Sequence, residues 1–283
     1  MATLAQPTTT ASDEQTGRRS RPDRTSLARV ARTLALLAVT LAALVALWAW
    51  GSGAYGVPLL FPGPAEVAEA LLEGAADGSL GAAVAASLFR IVTGFAIGTV
   101  AGVLLGLMLG SSRVLAAMSA PLVTFLRFVP PLAWFGAVLV WFGTGETAKV
   151  VLIVYTSVFV VALNTLEGVG KVPRDMERMA GVAGARAWQR LFWVTLPASV
   201  PYITAGARVA MGNAFMTVVS AEMLGAPVGL GVMINNGMTS TSVPDVFAAI
   251  LVLGALGLGA DRLFMLLVNK AGKRFSHDRA DVA

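Results

Sequence analysis

KVPRDMERMAGVAGARAWQRLFWVTLPASVP, residues 171–201, is a basic, helix-capable stretch set between two long apolar runs, and it is too polar to sit in lipid. Pro173 suits the first turn of a helix, where a missing N–H costs nothing, and Asp175 and Glu177 complement the positive end of a helix dipole. The pattern predicts a short helix starting there. Met176, Met179, Ala180 and Ala183 recur at i, i+3, i+4 and i+7, which places them on one small, soft, apolar face with Glu177 and Arg178 turned elsewhere. Gly184 weakens or ends that helix, a second piece runs through Trp188 and Phe192, and Leu196-Pro197 leads into the next apolar run. The predicted shape is a short helix, a turn and a return to the membrane, a surface available to something outside the bilayer.

Composition sets the class. The 283 residues are 56% hydrophobic and 13% charged, with a mean hydropathy of +0.75, which excludes an ordinary soluble domain. Crossing a bilayer core of roughly 30 Å takes about 20 apolar residues. Six candidates are present, at about 32–50, 86–110, 119–142, 149–168, 200–222 and 246–268. The expectation is therefore an all-α polytopic membrane protein with six transmembrane helices.

Charge orients it. Arg18, Arg19, Arg21, Arg24, Arg29 and Arg32 precede the first span, Arg113 follows the second, and Lys270, Lys273, Arg274 and Arg279 follow the sixth. The alternate loops differ: 51–85 carries Glu66, Glu69, Glu73 and Asp77 without Lys or Arg, and neither basic residue occurs between Arg208 and Arg262. Both termini are predicted in the cytoplasm, with 1–29 a disordered basic tail, 30–268 the transmembrane domain including the polar loop 169–198, and 269–283 a second tail. Arg18-Arg19 reads as an orientation charge rather than a twin-arginine signal. The high pI of 10.1 is explained by topology, with no need of a nucleic-acid partner.

The absence of cysteine excludes disulfides, thiolate metal sites and cysteine nucleophiles, and the single histidine, His277, sits in a polar tail. No metal site is expected. No GxxxxGK[ST] phosphate loop occurs, so an ATP-driven process would need its ATPase on another chain.

The spacing Ala180, three residues, Gly184, nine residues, Val194-Thr195-Leu196-Pro197 resembles the cytoplasmic signature loop of ABC-importer permeases, subunits that pass on small solutes received from a binding protein. A basic loop is also what the positive-inside rule alone would give. In the family the loop forms a coupling helix seated in a groove of the ATPase. The resemblance thus implies an ATPase-coupling role for Met176, Glu177, Met179, Ala180, Ala183, Gly184, Leu196 and Pro197. The motif's usual Glu aligns with Arg178, the nearest acid being Glu177, which leaves the Ala/Gly packing surface intact.

Further motifs fall in the family's order over about residues 58–268. FPGPAEVAEALLEG (61–74) is predicted as an amphipathic helix outside the membrane, with Val67, Ala70 and Leu71 on its apolar face. Its Pro-x-Pro start resembles the sulfonate, taurine and nitrate branch. So do SLFRIVTGFAIG (87–98), LRFVPPLAWFGAVLVWFGTGETAK (126–149), NTLEG (164–168) and AEM (221–223). What the resemblance implies is an ABC importer type I permease of the bacterial inner membrane. It would pair as a homodimer in membrane lipid, served by an ABC ATPase and a periplasmic or lipid-anchored solute-binding protein. No cofactor is implied in this chain, ATP and Mg being bound by the partner ATPase. Suitable cargoes are a sulfonate, taurine, nitrate or a vitamin precursor.

Three features within the spans invite roles. Gly94, Gly98, Gly102, Gly106 and Gly110 repeat every four residues, which permits close helix approach, either as static packing or as a sliding surface. Asn213, Thr217 and Ser220 form a polar face on the fifth span, read as pathway lining or as interhelical hydrogen bonding. Glu222 at its outer end is a candidate gate, or an interfacial acid that snorkels to water. Arg127 lies either inside the membrane, where it would attract an anion, or at the cytoplasmic interface if Pro130-Pro131 breaks the helix; the prolines favour the interface. For Arg90 and Arg208, near span ends, snorkelling is expected.

A secondary transporter driven by an ion gradient is the alternative class. It predicts ionisable residues deep in the spans and often an internal inverted repeat, and neither a convincing repeat nor a carboxylate near mid-membrane is apparent. An intramembrane enzyme lacks a catalytic His, Cys or Asp pair.

Overall fold

The computed structural model describes residues 24–57 and 60–277. The predicted N-terminal tail up to residue 23 and the end of the predicted C-terminal tail, 278–283, lie outside the described residues. Among the described residues all regular structure is helical, in the order α1 (Arg24–Tyr55), α2 (Pro64–Ala76), α3 (Ser79–Gly110) and α4 (Arg113–Phe128), then a 3-10 turn (Pro131–Trp134) and α5 (Phe135–Phe142). There follow α6 (Glu146–Gly170), α7 (Arg174–Val182), α8 (Ala187–Arg190), a π turn (Leu191–Thr195), α9 (Leu196–Met223), α10 (Leu230–Thr239) and α11 (Val243–His277).

Among the described residues, four helical stretches are long and apolar enough to cross a membrane: Ala35–Tyr55, Ser79–Gly110, Glu146–Gly170 and Val243–Lys270. A fifth is obtained if α4 and α5 count as one span, and these two are bent by 86°. The expected span 119–142 is broken, as Pro130-Pro131 suggests, and its first half begins earlier, at Arg113. Pro130 lacks a donor and forces Val129 into extended backbone (φ −73°, ψ 117°), so α4 stops at Phe128. The expected span 200–222 is helical within the 28 residues of α9, but it falls short of the same apolarity. It is enclosed by neighbours along one side, with Gly206, Ala207, Ala210, Ala214, Thr217 and Val218 buried, so small and polar residues face protein where apolar ones would face lipid.

The glycine stripe of α3 is filled by α6 of the same chain. A Cβ added at Gly94 would lie 2.6 Å from the Cβ of Ile153, at Gly98 2.5 Å from Ser157, at Gly102 2.8 Å from Val161, at Gly106 2.5 Å from Thr165 and at Gly110 2.9 Å from Val169. Both series advance together, so α3 and α6 run parallel. Gly168 faces Ser199 and Tyr202, and Gly206 faces Asn164, which makes α9 antiparallel to α6. These three helices form the core around Ile91, Ile153, Met211, Ala214 and Val218.

Smaller elements close the two ends. In α2, Val67 and Gly74 are buried with Ala70 and Leu71 half-buried between them, as the spacing predicts, and the Glu66 carboxylate accepts the N–H of Gly63 to cap the helix. Asp77 accepts the N–H of Ser79 at 2.8 Å ahead of α3, which holds its carboxyl below the usual range. The α1 helix is tied in near its C-terminal end, where the Trp48 indole donates to the carbonyl of Pro62 at 2.9 Å and stacks on Phe247.

At the opposite end, α7 closes as expected at Gly184, whose φ of +80° only glycine adopts freely. Gly184 N–H donates to Gly181 O and Ala185 N–H to Ala180 O, both at 3.0 Å, the paired bonds of a Schellman turn. The second piece through Trp188 and Phe192 joins α9 directly. Pro197 and Pro201 each remove a helical donor, and just ahead of them Leu196 N–H reaches back five residues to Leu191 O in the π turn.

Candidate functional site

The break between α4 and α5 leaves Val129 and Pro130 outside any helix, opposite the polar face of α9. A cavity of about 250 Å³ opens there, lined by Arg127, Tyr155, Thr156, Asn213, Met216 and Thr217 among others. An adjoining cavity of about 210 Å³ is lined by Pro130, Pro131, Met216, Thr217 and Ser220. All three stripe residues therefore border cavities. Thr217 also shares a hydrogen bond of 3.0 Å with Thr156, so lining and interhelical bonding coexist at one residue. The Tyr155 hydroxyl donates to Leu126 O at 2.6 Å, capping the broken end of α4.

Arg127 is relocated by this geometry. The prolines do end the helix, but the end lies beside mid-helix residues of α6 and α9 rather than at a helix boundary shared by the bundle. The sequence-based preference for the cytoplasmic interface is corrected accordingly.

Glu222, next to the end of α9, is enclosed by protein and does not reach water. It is 1% exposed and accepts from Ser87 Oγ at 2.8 Å, Arg90 Nη1 at 2.7 Å and the Gly231 N–H at 2.9 Å. Arg90, 2% exposed, also grips Glu146 with Nε and with Nη2 at 2.8 Å, and donates to Val228 O at 2.7 Å. The Leu230 N–H donates to Ser87 Oγ at 2.9 Å. One arginine thus fastens α3, α6, α9 and the start of α10, and the expectation that Arg90 snorkels is overturned. Burial forces this: a desolvated guanidinium needs its charge matched and its donors used. Gly229 is required beside it, because a Cβ there would lie 2.4 Å from the Glu222 carboxyl. Arg208 likewise pairs instead of snorkelling, with Nε at 2.6 Å and Nη2 at 2.8 Å from Asp261 of α11. Asp261, a carboxylate inside the sixth expected span, was not singled out from sequence.

The loop face stands clear of the bundle. Met176 is 44% exposed, Met179 64% and Val182 91%, and Ala183 and Gly184 are exposed beside them. Ala180 and Glu177 are half-buried, Glu177 bordering a cavity with Trp188 and Arg190 under α7. Leu196 is half-buried and Pro197 exposed. Val182 escaped the periodicity argument, although its position beside Met179 makes it the most exposed apolar side chain of α7. Arg178 pairs with Asp175 at 3.7 Å on the solvent side.

Comparisons with known proteins fit this architecture. Residues 98–273 match the family model described as "Binding-protein-dependent transport system inner membrane component". The bicarbonate transport system permease protein CmpB of Synechococcus elongatus is 37% identical over 178 residues, 62% of this chain and 64% of its own length. The chain thus spans somewhat less than two thirds of that relative. The nitrate import permease protein NrtB of Synechocystis is 31% identical over 239 residues, covering 81% of this chain and 86% of its own. A probable ABC transporter permease protein of Brucella melitensis is 34% identical over 205 residues, 72% of this chain and 83% of its own. In fold, the chain is similar to one in a crystal structure of an amino acid ABC transporter with histidines, with a TM-score of 0.54 at 15% identity over 72% of this chain and 96% of that one. With its helical core, its bent fourth and fifth helices and its 171–201 loop all inside or against the matched region, the chain belongs to the ABC transporter permeases described as binding-protein-dependent transport system inner membrane components.

Proposed function

We propose that this chain is the pathway-forming subunit of an ATP-driven importer for a small anion, in a bacterial inner membrane. It has six crossings, α1, α3, α4 with α5, α6, α9 and α11, with both termini in the cytoplasm. The parallel run of α3 and α6 supports the crossing by α4 and α5, since the chain must return across the bilayer between two parallel neighbours. A second copy completes the pathway, each copy docks one ATPase that binds ATP and Mg, and a solute-binding protein delivers cargo outside. The chain itself does no covalent chemistry. ATP-driven closure of the ATPases moves both α7 helices and tilts the spans between inward-open and outward-open arrangements.

The observation that carries this reading is α7: nine residues, closed by a Schellman turn, presenting Met179 and Val182 to solvent on the side of the bundle where Gly110 and Gly170 end α3 and α6. Exposed apolar residues on a short, rigidly terminated helix fit a partner's groove. The bicarbonate and nitrate in two relatives' names are both planar, three-oxygen monoanions, which supports the solute class.

Two experiments test the proposal. Gly184→Leu places a branched side chain at φ +80° and should cost the turn about 1–2 kcal/mol, while Ala180→Trp adds bulk to the docking face. Either variant is expected to abolish co-purification with the ATPase or to uncouple ATP hydrolysis from uptake, whereas Arg178→Glu is tolerated. Wild-type coupling by both bulky variants at normal expression would remove α7 from the role. For topology, single cysteines in this cysteine-free chain are expected to react with an impermeant thiol reagent on intact cells at Asp77 and to be protected at Arg178. The reverse pattern would invert the orientation.

A further inference from the structure

We infer that Arg127 is the anion-recognising residue of the cavity between the α4–α5 bend and α9, its guanidinium receiving a small oxyanion together with the side-chain amide of Asn213. This rests on the permease reading, and it adds a site within the pathway that selects charge independently of any binding protein.

The other basic residues of the long spans are accounted for, while Arg190 of α8, whose Nε has no partner among the described residues, borders a separate cavity with Glu177. Arg90 is held by Glu146 and Glu222, Arg208 by Asp261, and Lys149 donates to Thr144 O at 2.9 Å and Gly145 O at 3.2 Å. Arg262 is exposed about two turns before Lys270, at the basic end of α11. Among the described residues, the Arg127 guanidinium has no hydrogen bond or ion pair. It borders the cavity, and no carboxylate lines it.

The remaining polar groups sort into committed and free. Tyr155 donates its hydroxyl to Leu126 O, and Thr156 and Thr217 satisfy each other. The Asn213 amide donates to no described residue of its own helix or of its neighbours, although Asn164, one helix away, does so to Val160 O. Two free donors of differing geometry therefore remain, a planar guanidinium fork and an amide. A guanidinium fork matches two oxygens of a planar oxyanion, and the amide can take the third. Arg127 is exposed at the cavity, and an unpaired charge at an opening between apolar spans marks a solute path. The carbonyl end of α4 favours a cation at Arg127 without spending its donors.

The test reads the field of Arg127 directly. Met216 lines the cavity, is 74% exposed and carries none of the proposed contacts, so Met216→Cys in the cysteine-free chain provides a reporter. In vesicles holding the assembled transporter, the ratio of labelling rates by an anionic and a cationic methanethiosulfonate is measured. A cleft of one sign concentrates counter-ions by about tenfold or more. The ratio is expected to fall by about tenfold in Arg127→Gln and to be kept in Arg127→Lys. Millimolar nitrate or bicarbonate should slow labelling in the parent and the Lys variant but not in Gln, and uptake of labelled nitrate or bicarbonate should fall with the same ranking. An unchanged ratio in Arg127→Gln overturns the inference, as does a parent that prefers the cationic reagent. Either result leaves the permease reading standing, because that reading is scored separately by co-purification with the ATPase.

Discussion

Arg90→Met should destabilise the subunit more than Glu222→Gln, and the double variant should recover part of what the arginine substitution loses. The asymmetry follows from which charges are left over. Removing Arg90 strands the Glu222 carboxylate, 1% exposed, with only the Ser87 hydroxyl and the Gly231 N–H to hold it, while Glu146, whose side chain is 47% exposed, falls back on water. Breaking a buried ion pair from one side costs about 3–5 kcal/mol because the orphaned charge stays desolvated. Removing the Glu222 charge instead leaves Arg90 paired with Glu146 and keeps an acceptor for Ser87, so the expected cost is about 1–2 kcal/mol, that of weakened hydrogen bonds. In Arg90→Met/Glu222→Gln no buried charge remains, and the two losses should not add. Thermal unfolding of the purified subunit, followed by the fraction surviving gel filtration after heating, gives the ranking. Strictly additive losses in the double variant would mean that the two residues act separately, and the fastener would be no fastener.

That fastener shows where reading the chain runs out. Arg90 lies 132 positions from Glu222 and 56 from Glu146, and each alone has the signature of an interfacial charge near the end of an apolar run. Nothing in local spacing says that three such ends meet, so pairing replaces snorkelling only once the helices are packed. Local signals did better. Gly184 was legible as a helix stop because a left-handed residue after α7 favours glycine, and the Val67, Ala70 and Leu71 spacing was legible because a helix face repeats. The Pro130-Pro131 break was legible too, but its depth was not: prolines say where a helix ends along the chain, whereas depth depends on the neighbours alongside. The apolar criterion failed at α9 for a related reason. It scores residues as if lipid surrounded them, and the buried side of α9 is made of small and polar residues packed on protein.

Gly98→Leu or Gly102→Leu should prevent accumulation of folded subunit, the largest effect expected from any single substitution in the spans. At Gly102 even a methyl group would meet the carbonyl oxygen of Val158 at 2.7 Å and the Cβ of Val161 at 2.8 Å, and at Gly98 the Cβ of Ser157 at 2.5 Å. These are backbone and β-carbon positions, which no rotamer change can move, so the helices themselves must separate. Association of apolar helices in lipid relies on van der Waals contact, and separation forfeits it along the whole stripe. Overpacking by one small group costs about 1–3 kcal/mol, so Gly98→Ala should survive with a lowered Tm while the leucine variants do not. Two comparisons distinguish steric clash from a general intolerance of change in α3. Gly81→Ala, in the same helix but with nothing within 4 Å of the added carbon, should be neutral. Gly98→Ala/Ser157→Gly moves the β-carbon from one helix to the other and should regain much of the Tm lost by Gly98→Ala, leaving the approaches to Val154 O at 3.0 Å and Val154 Cα at 3.3 Å to be relieved. Detergent extraction with fluorescence-detected gel filtration measures all of these, and parental yield and Tm for Gly98→Leu would show that α3 and α6 are not in the close contact on which this core depends.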